Sequence, residues 1–412
     1  MKHTLKQFFS PLRGNLLVLV VSLLIWTFME QMIKTYEPLY VFALGGTGAI
    51  LGALTATQTL LGTSLRIPGG YIADTRGRRL LVGAATILAS FAYLFYALAT
   101  NWTWLIFGVS LLSLTALSEP ALDAIRADSV GPEDRGRSYV LLTTLPQIPA
   151  LIAPTVGGLL ILDEASKEGI SLGGVRTAYF LLFLGILLAG LIRLFFLKET
   201  FLPTSSKGTS KLGVGVFRDA YETIGNCDPS TRRLVVLTGF FMFCFHFDER
   251  FRSAYAVNVK GLSTVEWGMI VTISQIVSTM AIFAIGWSID KYGRKKVFVP
   301  SIALLGVSAY IFTFSNSFTS FLLAMIVEAI FLNSRIMALQ VLMADSTPMP
   351  VRGRVFGTIN ILSNLGSSAS IVLSGILYDI DPVLPFHVAI VMYALATLAA
   401  MKFLKEAAVR QV

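Results

Sequence analysis

"GYIADTRGRR" at residues 70–79 and "GWSIDKYGRK" at residues 286–295 follow one pattern, 216 residues apart in a chain of 412. Each copy has a glycine, an aspartate four positions on, a second glycine, and two bases, and each closes an apolar segment. Repetition at about half the chain length indicates internal duplication. The residues that define the pattern are Gly70, Asp74, Gly77, Arg78 and Arg79 in the first copy, and Gly286, Asp290, Gly293, Arg294 and Lys295 in the second.

The composition places these two loops in a membrane protein. Hydrophobic residues make up 55% of the chain and charged residues 14%, with a mean hydropathy of +0.72, whereas soluble proteins carry about 25% charged residues. Apolar runs long enough to cross a bilayer recur along the whole sequence. The first run is too long for the apolar core of a cleavable signal peptide, so we expect it to be a spanning helix.

Hydropathy and turn signals predict twelve spanning helices. A polar stretch separates the first six from the last six, which predicts an N-terminal bundle at 1–197, a cytoplasmic linker at 198–232 and a C-terminal bundle at 233–412. The fold class is therefore an all-α membrane protein. Spans 1 to 12 are predicted near residues 15–40, 46–72, 79–99, 103–127, 138–161, 177–197, 233–258, 265–289, 296–315, 319–344, 354–378 and 385–404.

The positive charges fix the expected orientation. Of the 33 lysines and arginines, 24 lie in the segments on the N-terminal side and three in the opposite segments. The positive-inside rule then places both termini in the cytoplasm. Because the bases are spread over seven loops and termini, the net charge of +9 is topological, and we expect no nucleic-acid partner.

A second pair of similar stretches supports the duplication. "RADSVGPEDRGR" at 126–137, after span 4, matches "MADSTPMPVRGR" at 343–354, after span 10, and makes Asp345 the counterpart of Asp128. Parallel repeats of this kind are a known transporter architecture.

With both loop copies at half-chain spacing, the sequence resembles the major facilitator superfamily of secondary transporters over essentially its whole length. The resemblance implies twelve helices in two pseudo-symmetric six-helix bundles with the substrate site between them. Span 5 is also similar to a stretch of the family's exporters, in which Pro154, Gly157 and Gly158 would kink the helix; Ala153 stands where that stretch has a glycine.

The resemblance also implies a role for the duplicated loops as a cytoplasmic gate. In similar proteins the motif aspartate, here Asp74, caps helix 11, where a carboxylate is stabilised by the helix dipole. The motif arginine, Arg78, would pair with an acid at the end of span 4, for which Asp128 is the match. Asp290 would cap span 5 in the same way.

Ionisable residues inside the predicted spans are the candidates for substrate and proton binding. Each costs on the order of 3 kcal/mol at the bilayer centre, so they should face a watery interior or one another. They fall on spans 1, 4, 7 and 10, which line the central cavity in the resembled family. The predicted cavity residues are Glu30, Lys34, Glu119, Asp123, Asp248, Glu249, Arg252, Glu328 and Arg335.

Four further charges are predicted to be less informative. Glu37 precedes Pro38 and should lie at the membrane interface. Arg250 points away from its neighbours unless span 7 is broken, and we leave both alternatives open. Arg66 and Arg193 lie near cytoplasmic ends, where a long side chain can reach the interface.

The predicted cavity set, with Glu37 and Arg250, holds seven acids and four bases. This excess suits a cationic or zwitterionic substrate, or a carboxylate that carries a proton. His246 beside the acids could titrate near neutral pH, although a histidine in an aromatic run is more often a packing residue.

The sequence carries no enzyme signal. There is no phosphate-binding glycine loop, no Cys/His cluster and no nucleophile beside a histidine, so we expect no catalytic residue, cofactor or metal. The leading hypothesis is a monomeric transporter in the cell membrane, contacting the lipid bilayer, that exports a small organic molecule by alternating access and is driven by protons. The alternatives are uptake of a sugar, organic acid or amino-acid-like solute by a symporter or facilitator, and a non-transporting receptor or scaffold.

Overall fold

The computed structural model describes residues 9–75, 77–162, 170–200, 225, 229–347 and 352–404. Nearly all of these residues are helical, and the chain is an all-α membrane protein. Ten of the described helices are long and apolar enough to cross a membrane. The two other predicted spans fall short for visible reasons: span 2 is rich in glycine and threonine, and span 7 is interrupted after 17 residues.

Spans 1 to 6 include three interrupted helices, those of spans 1, 4 and 5. Span 1 ends and restarts before Pro38, which occupies the first turn of the new helix, where its missing N–H costs nothing. Span 5 is broken twice. The helices are Gly14–Lys34 and Glu37–Ala43 (span 1), Gly48–Thr75 (span 2), Arg79–Ala97 (span 3), Thr103–Thr115 and Glu119–Asp128 (span 4), Arg135–Thr144, Gln147–Ala150 and Ala153–Ile161 (span 5), and Leu172–Phe196 (span 6).

Spans 8 to 12 are unbroken, whereas span 7 is not the continuous helix 233–258 that hydropathy predicts. Its regular part ends at Phe245 and is followed by short 3₁₀, α and π segments up to Val259. The helices are Pro229–Phe245 (span 7), Thr264–Tyr292 (span 8), Arg294–Phe314 (span 9), Phe318–Ser346 (span 10), Arg352–Ile380 (span 11) and Leu384–Phe403 (span 12).

The chain forms two compact units. The first comprises Met1–Gly46 and Thr57–Gly213, and the second Thr47–Ala56 and Val214–Val412. The start of span 2 belongs to the second unit because its glycines pack directly on the backbone of span 11. There is no room for a side chain at these glycines: a Cβ on Gly48 would lie 2.5 Å from the Gly375 carbonyl oxygen, and one on Gly52 would lie 2.8 Å from that of Ile371.

In the first unit, span 6 packs against spans 1 and 3, span 3 against span 4, and span 5 against span 1. Small residues permit the closest of these approaches. A Cβ on Gly83 would lie 2.9 Å from the Cα of Leu194, and one on Gly190 would lie 2.8 Å from the Ile87 side chain.

The second unit repeats this arrangement. Span 12 packs against spans 7 and 9, span 9 against span 10, and span 11 against span 7. An aromatic core fills the unit, with Phe241, Phe298, Phe312, Phe321 and Phe386 all fully buried. The repeated helix neighbours agree with a duplicated six-helix bundle.

Candidate functional site

The break in span 7 positions the most deeply buried charges of the second unit. After Phe245 the backbone leaves the helix, and the Nδ1 of His246 lies 2.7 Å from the Met242 carbonyl oxygen. Arg250 sits in the 3₁₀ turn Glu249–Phe251, so of the two alternatives for this residue the broken helix is the observed one. Such irregular segments inside helices frequently occur at functional sites.

Asp248, Arg252 and Glu328 form a buried ionic triad. The Arg252 guanidinium contacts Asp248 through Nη2 and, at 3.0 Å, through Nε, and it contacts Glu328 through Nη1. The Asp248 and Arg252 side chains are 0% and 4% exposed, and that of Glu328 is 11% exposed. Because these charges are removed from water, loss of one partner would leave the others uncompensated.

Tyr393 of span 12 lies beside the triad. Its buried hydroxyl is 3.5 Å from the Asp248 carboxylate and 3.5 Å from the Phe245 carbonyl oxygen, and its ring stacks on that of Phe245. Selecting residues by charge missed this tyrosine. The signal that could have found it is a tyrosine in the middle of an apolar span, because a buried phenol normally needs a hydrogen-bond partner.

Arg335 is buried near the triad without joining it. Its guanidinium carbon lies 3.9 Å above the centre of the Phe245 ring, and the side chain is 5% exposed. Its buried Nε and Nη1 have no hydrogen-bond partner. Glu249, by contrast, is exposed and lies 3.7 Å from the Nε2 of His246.

The buried charges of this site are balanced in number. Asp248 and Glu328 are the two buried carboxylates of the second unit, and Arg252 and Arg335 are its two buried arginines among the described residues. The acid excess predicted from the sequence is therefore not present in this buried cluster, because counting residues along spans included acids that remain outside it.

In the first unit the predicted charges are more accessible and more dispersed. Glu30 accepts a hydrogen bond from the Trp26 indole at 2.8 Å, and Lys34 is exposed. Glu119 pairs with Arg66 at 2.5 Å, and Asp123 pairs with Arg126 at 3.0 Å. The triad has no counterpart among the described residues of this unit.

The two arginines that were predicted to reach the membrane interface both have partners in the structure. Arg66 is held by Glu119 across spans 2 and 4. Arg193 is buried, with its guanidinium donating to Ser22 Oγ at 2.9 Å and Thr86 Oγ1 at 3.0 Å. Glu37, expected at the interface, accepts a hydrogen bond from Tyr96 at 3.4 Å. Hydroxyl groups are therefore the partners of Arg193, and an acid on another span is the partner of Arg66.

The first copy of the loop motif ties three helix ends of its unit together. Arg78 forms an ion pair with Asp128 at the end of span 4. Arg79 donates to the Leu194 carbonyl oxygen in the last turn of span 6 at 2.8 and 3.0 Å. A cation there also complements the helix dipole. Gly77 has a φ of +92°, a backbone conformation that favours glycine.

The second copy makes the same contacts in the second unit. Arg294 pairs with Asp345 at 3.0 Å, Lys295 donates to the Met401 carbonyl oxygen at 2.9 Å, and Gly293 has a φ of +95°. Gly70 and Gly286 have room for a Cβ. The proposed helix caps of Asp74 and Asp290 stay predictions; the side chain of Asp74 is 74% exposed and lies 3.8 Å from Arg78.

The predicted kink residues of span 5 lie at its contact with span 1. Pro154 lies in the first turn of the third helical piece, and its carbonyl oxygen accepts a 2.7 Å hydrogen bond from the Tyr36 hydroxyl. A Cβ on Gly157 would lie 1.8 Å from the Met32 carbonyl oxygen, so only glycine allows this approach. Gly158 is buried in the same piece.

Asp379, at the end of span 11, is a further residue that the sequence analysis missed. Its carboxylate accepts hydrogen bonds from the backbone N–H of Gly48 at 2.5 Å and of Ala49 at 2.8 Å. It therefore caps the start of span 2 within the second unit. The available signal was the aspartate at a helix end, but its partner lies 331 residues away.

Comparison with known proteins gives matches at the level of family and fold. The model of the Major Facilitator Superfamily matches residues 16–269 and 251–411. The multidrug resistance protein MdtG of Rahnella sp. is 28% identical over 201 residues, which is 47% of this chain and 46% of the relative. MdtG of Salmonella paratyphi B is 29% identical over 183 residues, 43% of each protein. The chain thus spans about half the length of the curated relatives it matches.

Solved structures match over nearly the whole chain. A crystal structure of a variant of the nucleoside transporter NupG has a TM-score of 0.75 and 16% identity, covering 95% of this chain and 100% of that one. A bacterial homolog of the human lysosomal transporter Spinster, inward-facing and occupied, has a TM-score of 0.71 and 17% identity, covering 94% and 95%. At such identities the likeness concerns the fold alone.

Proposed function

Because the chain belongs to the major facilitator superfamily, it is a transporter, and we propose that it exports a small organic compound across the cell membrane in exchange for protons. The similarity to proteins named for multidrug resistance supports export. The compound would move by alternating access, with both termini in the cytoplasm and the chain acting as a monomer.

The buried triad is the observation that supports the proposal of proton coupling. One guanidinium, that of Arg252, holds two carboxylates, so the triad has one net negative charge when both are ionised. A single proton would neutralise the triad; with Arg335 included, the four buried charges would change from neutral to one net positive charge, and release of the proton would reverse the change. A charge change of this size in a low-dielectric interior is large enough to favour one conformation over another.

Glu328 is the better candidate for the proton. Asp248 is fully buried, is contacted twice by Arg252 and lies beside the Tyr393 hydroxyl, whereas Glu328 has a single contact with Arg252 and remains 11% exposed. Water therefore has better access to Glu328. The backbone around Asp248 is non-helical, and irregular backbone at membrane depth occurs where it lines a cavity or is buried in protein.

The test is proton flux in liposomes that contain the purified protein, with a pH dye inside and candidate solutes added outside. Solute-dependent proton movement should be lost in Glu328→Gln and should persist in Glu266→Gln. Glu266 is a matched control because its carboxylate serves a local capping box with Ser263, a role that glutamine also fills. Loss of proton movement in both variants, or in neither, would overturn the assignment.

Uptake by proton symport is the second candidate, and Arg335 is the observation that favours it. An anion bound at this unpaired guanidinium would leave the four buried charges with one net negative charge, which a proton would balance. Anion and proton would then bind together, as symport requires. Solute and protons moving in the same direction would support uptake, and opposite directions would support export. A receptor or scaffold would give movement of neither.

A further inference from the structure

Arg335 is a buried charge that takes part neither in the triad nor in the loop motifs. Three arginines are buried among the described residues: Arg193 and Arg252, each 4% exposed, and Arg335, 5% exposed. Arg252 holds two carboxylates, and Arg193 donates to two hydroxyl groups. Arg335 has no hydrogen bond or ion pair to any described residue, although burying an unpaired guanidinium is costly.

The surroundings of Arg335 leave its in-plane N–H groups without a hydrogen-bond partner. Phe245 covers one face of the guanidinium at 3.9 Å, a cation–π contact that uses the face of the group. The N–H groups point outward in the plane of the guanidinium, and they are the donors that recognise carboxylate, sulfonate or phosphonate oxygens in pairs. The aromatic wall continues with Tyr393, which stacks on Phe245.

We propose that Arg335 binds an anionic group of the transported compound, with the rings of Phe245 and Tyr393 against the apolar part of that compound. The compound would be a small organic acid: a carboxylate, sulfonate or phosphonate with an apolar or aromatic body. The inference rests on the proposed transport function for the statement that the bound compound is cargo, and it holds for either direction of transport.

A first test needs no ligand. If Arg335 is held unpaired for a ligand, then Arg335→Met removes an uncompensated charge, and the melting temperature of the ligand-free protein in detergent should rise by several degrees. Arg193→Met is the matched control, because the same change removes two hydrogen bonds from an equally buried arginine, and it should lower the melting temperature. A decrease for Arg335→Met as large as that for Arg193→Met would mean that Arg335 is a structural cation, which would overturn the proposal.

A second test uses probes of one shape that differ in charge: benzoate, benzenesulfonate, phenylphosphonate, benzyl alcohol and benzyltrimethylammonium. In the wild type, the anions should raise the melting temperature with a saturable dose dependence, since a ligand that binds the folded state stabilises it. This shift should disappear in Arg335→Gln, weaken in Arg335→Lys, and persist in Arg193→Lys. Equal shifts in Arg335→Gln and the wild type, stronger stabilisation by the cation, or no shift with any anion would each contradict the proposal.

The two proposals can fail separately. Anion binding that requires Arg335, without anion or proton movement in liposomes, would reject the transport function while leaving the anion site in place. Proton-coupled movement of a cation or a neutral solute that is unaffected in Arg335→Gln would reject the anion site while leaving transport in place.

Discussion

Arg294 and Asp345 form an ion pair, with 3.0 Å from Nε to the carboxylate, that reproduces in the second unit the Arg78–Asp128 pair of the first. The following base, Arg79 or Lys295, donates in both units to a carbonyl oxygen at the end of the last helix. Within each unit the duplicated loop therefore joins the ends of three helices, independently of any role between the units.

The two ion pairs give the first prediction. Asp128→Asn and Asp345→Asn should each lower the free energy of unfolding by about 1 kcal/mol or less, because the carboxylates are 48% and 38% exposed and water screens such pairs. Exchanging the charges in Arg294→Asp/Asp345→Arg should recover part of the loss. Thermal unfolding in detergent measures both effects.

Asp134→Asn is the control for this series, since Asp134 pairs with Arg137 one turn away and connects no two helices. A loss for Asp134→Asn equal to that for Asp345→Asn would show that the motif pair has no special structural value.

The second prediction concerns the triad. Arg252→Met should cost about 3–5 kcal/mol, because it leaves Asp248 and Glu328 buried without a counter-charge. Removing all three charges in Arg252→Met/Asp248→Asn/Glu328→Gln should restore much of the stability, since an uncharged cluster has no desolvation cost of ions. Melting temperatures of the single and triple variants decide this. A single variant as stable as the wild type would mean that the three charges are not buried as a unit.

The parts of this structure that could be predicted from the sequence are those set by local pattern. Hydropathy alone was sufficient to predict span 9. The loop motif was sufficient to predict the turn at Gly293, whose glycine adopts a φ of +95°. The order of the helical spans follows from the same local rules, because lipid and water select residues one segment at a time. The side of the membrane on which each basic loop lies stays a prediction of the positive-inside rule.

The pairing of charges could not be predicted, because it depends on which helices meet. Arg66 and Glu119 are 53 positions apart, and nothing in either span indicates that they form an ion pair. No proline or glycine next to Phe245 predicts that the span 7 helix ends there. The break accompanies the burial of Asp248 and Arg252 against Glu328 of span 10. Tertiary contacts override local helix preference here.

The third prediction tests the contact of span 5 with span 1. Gly157→Ala should destabilise the protein by about 1–3 kcal/mol, because its Cβ would lie 1.8 Å from the Met32 carbonyl oxygen and the two helices would have to separate. Gly62→Ala is the control: its Cβ would meet only the Ala116 side chain at 3.8 Å, an ordinary contact, so we expect unchanged or slightly raised stability. An equal change in melting temperature for the two variants would refute the close approach.

The fourth prediction concerns Asp379, whose carboxylate accepts from the N–H groups of Gly48 and Ala49 at the start of span 2. Asp379→Ala should cost about 1–2 kcal/mol, because it removes both the hydrogen bonds and a negative charge at the positive end of a helix dipole. Asp379→Asn keeps an acceptor and should cost less. Asp381→Ala is the matched control, since Asp381 accepts only from Val383 in its own turn, at 2.9 Å.

Hydrogen exchange at the amides of Gly48 and Ala49 reports on this cap more directly than global unfolding does. Exchange there should accelerate in Asp379→Ala and stay unchanged in Asp381→Ala. If the amides exchange at the same rate in both variants, the carboxylate does not hold the start of span 2, and some other contact must account for the attachment of residues 47–56 to the second unit. If only Asp379→Ala accelerates exchange, one side chain on span 11 anchors the first turn of a helix that begins 331 residues earlier.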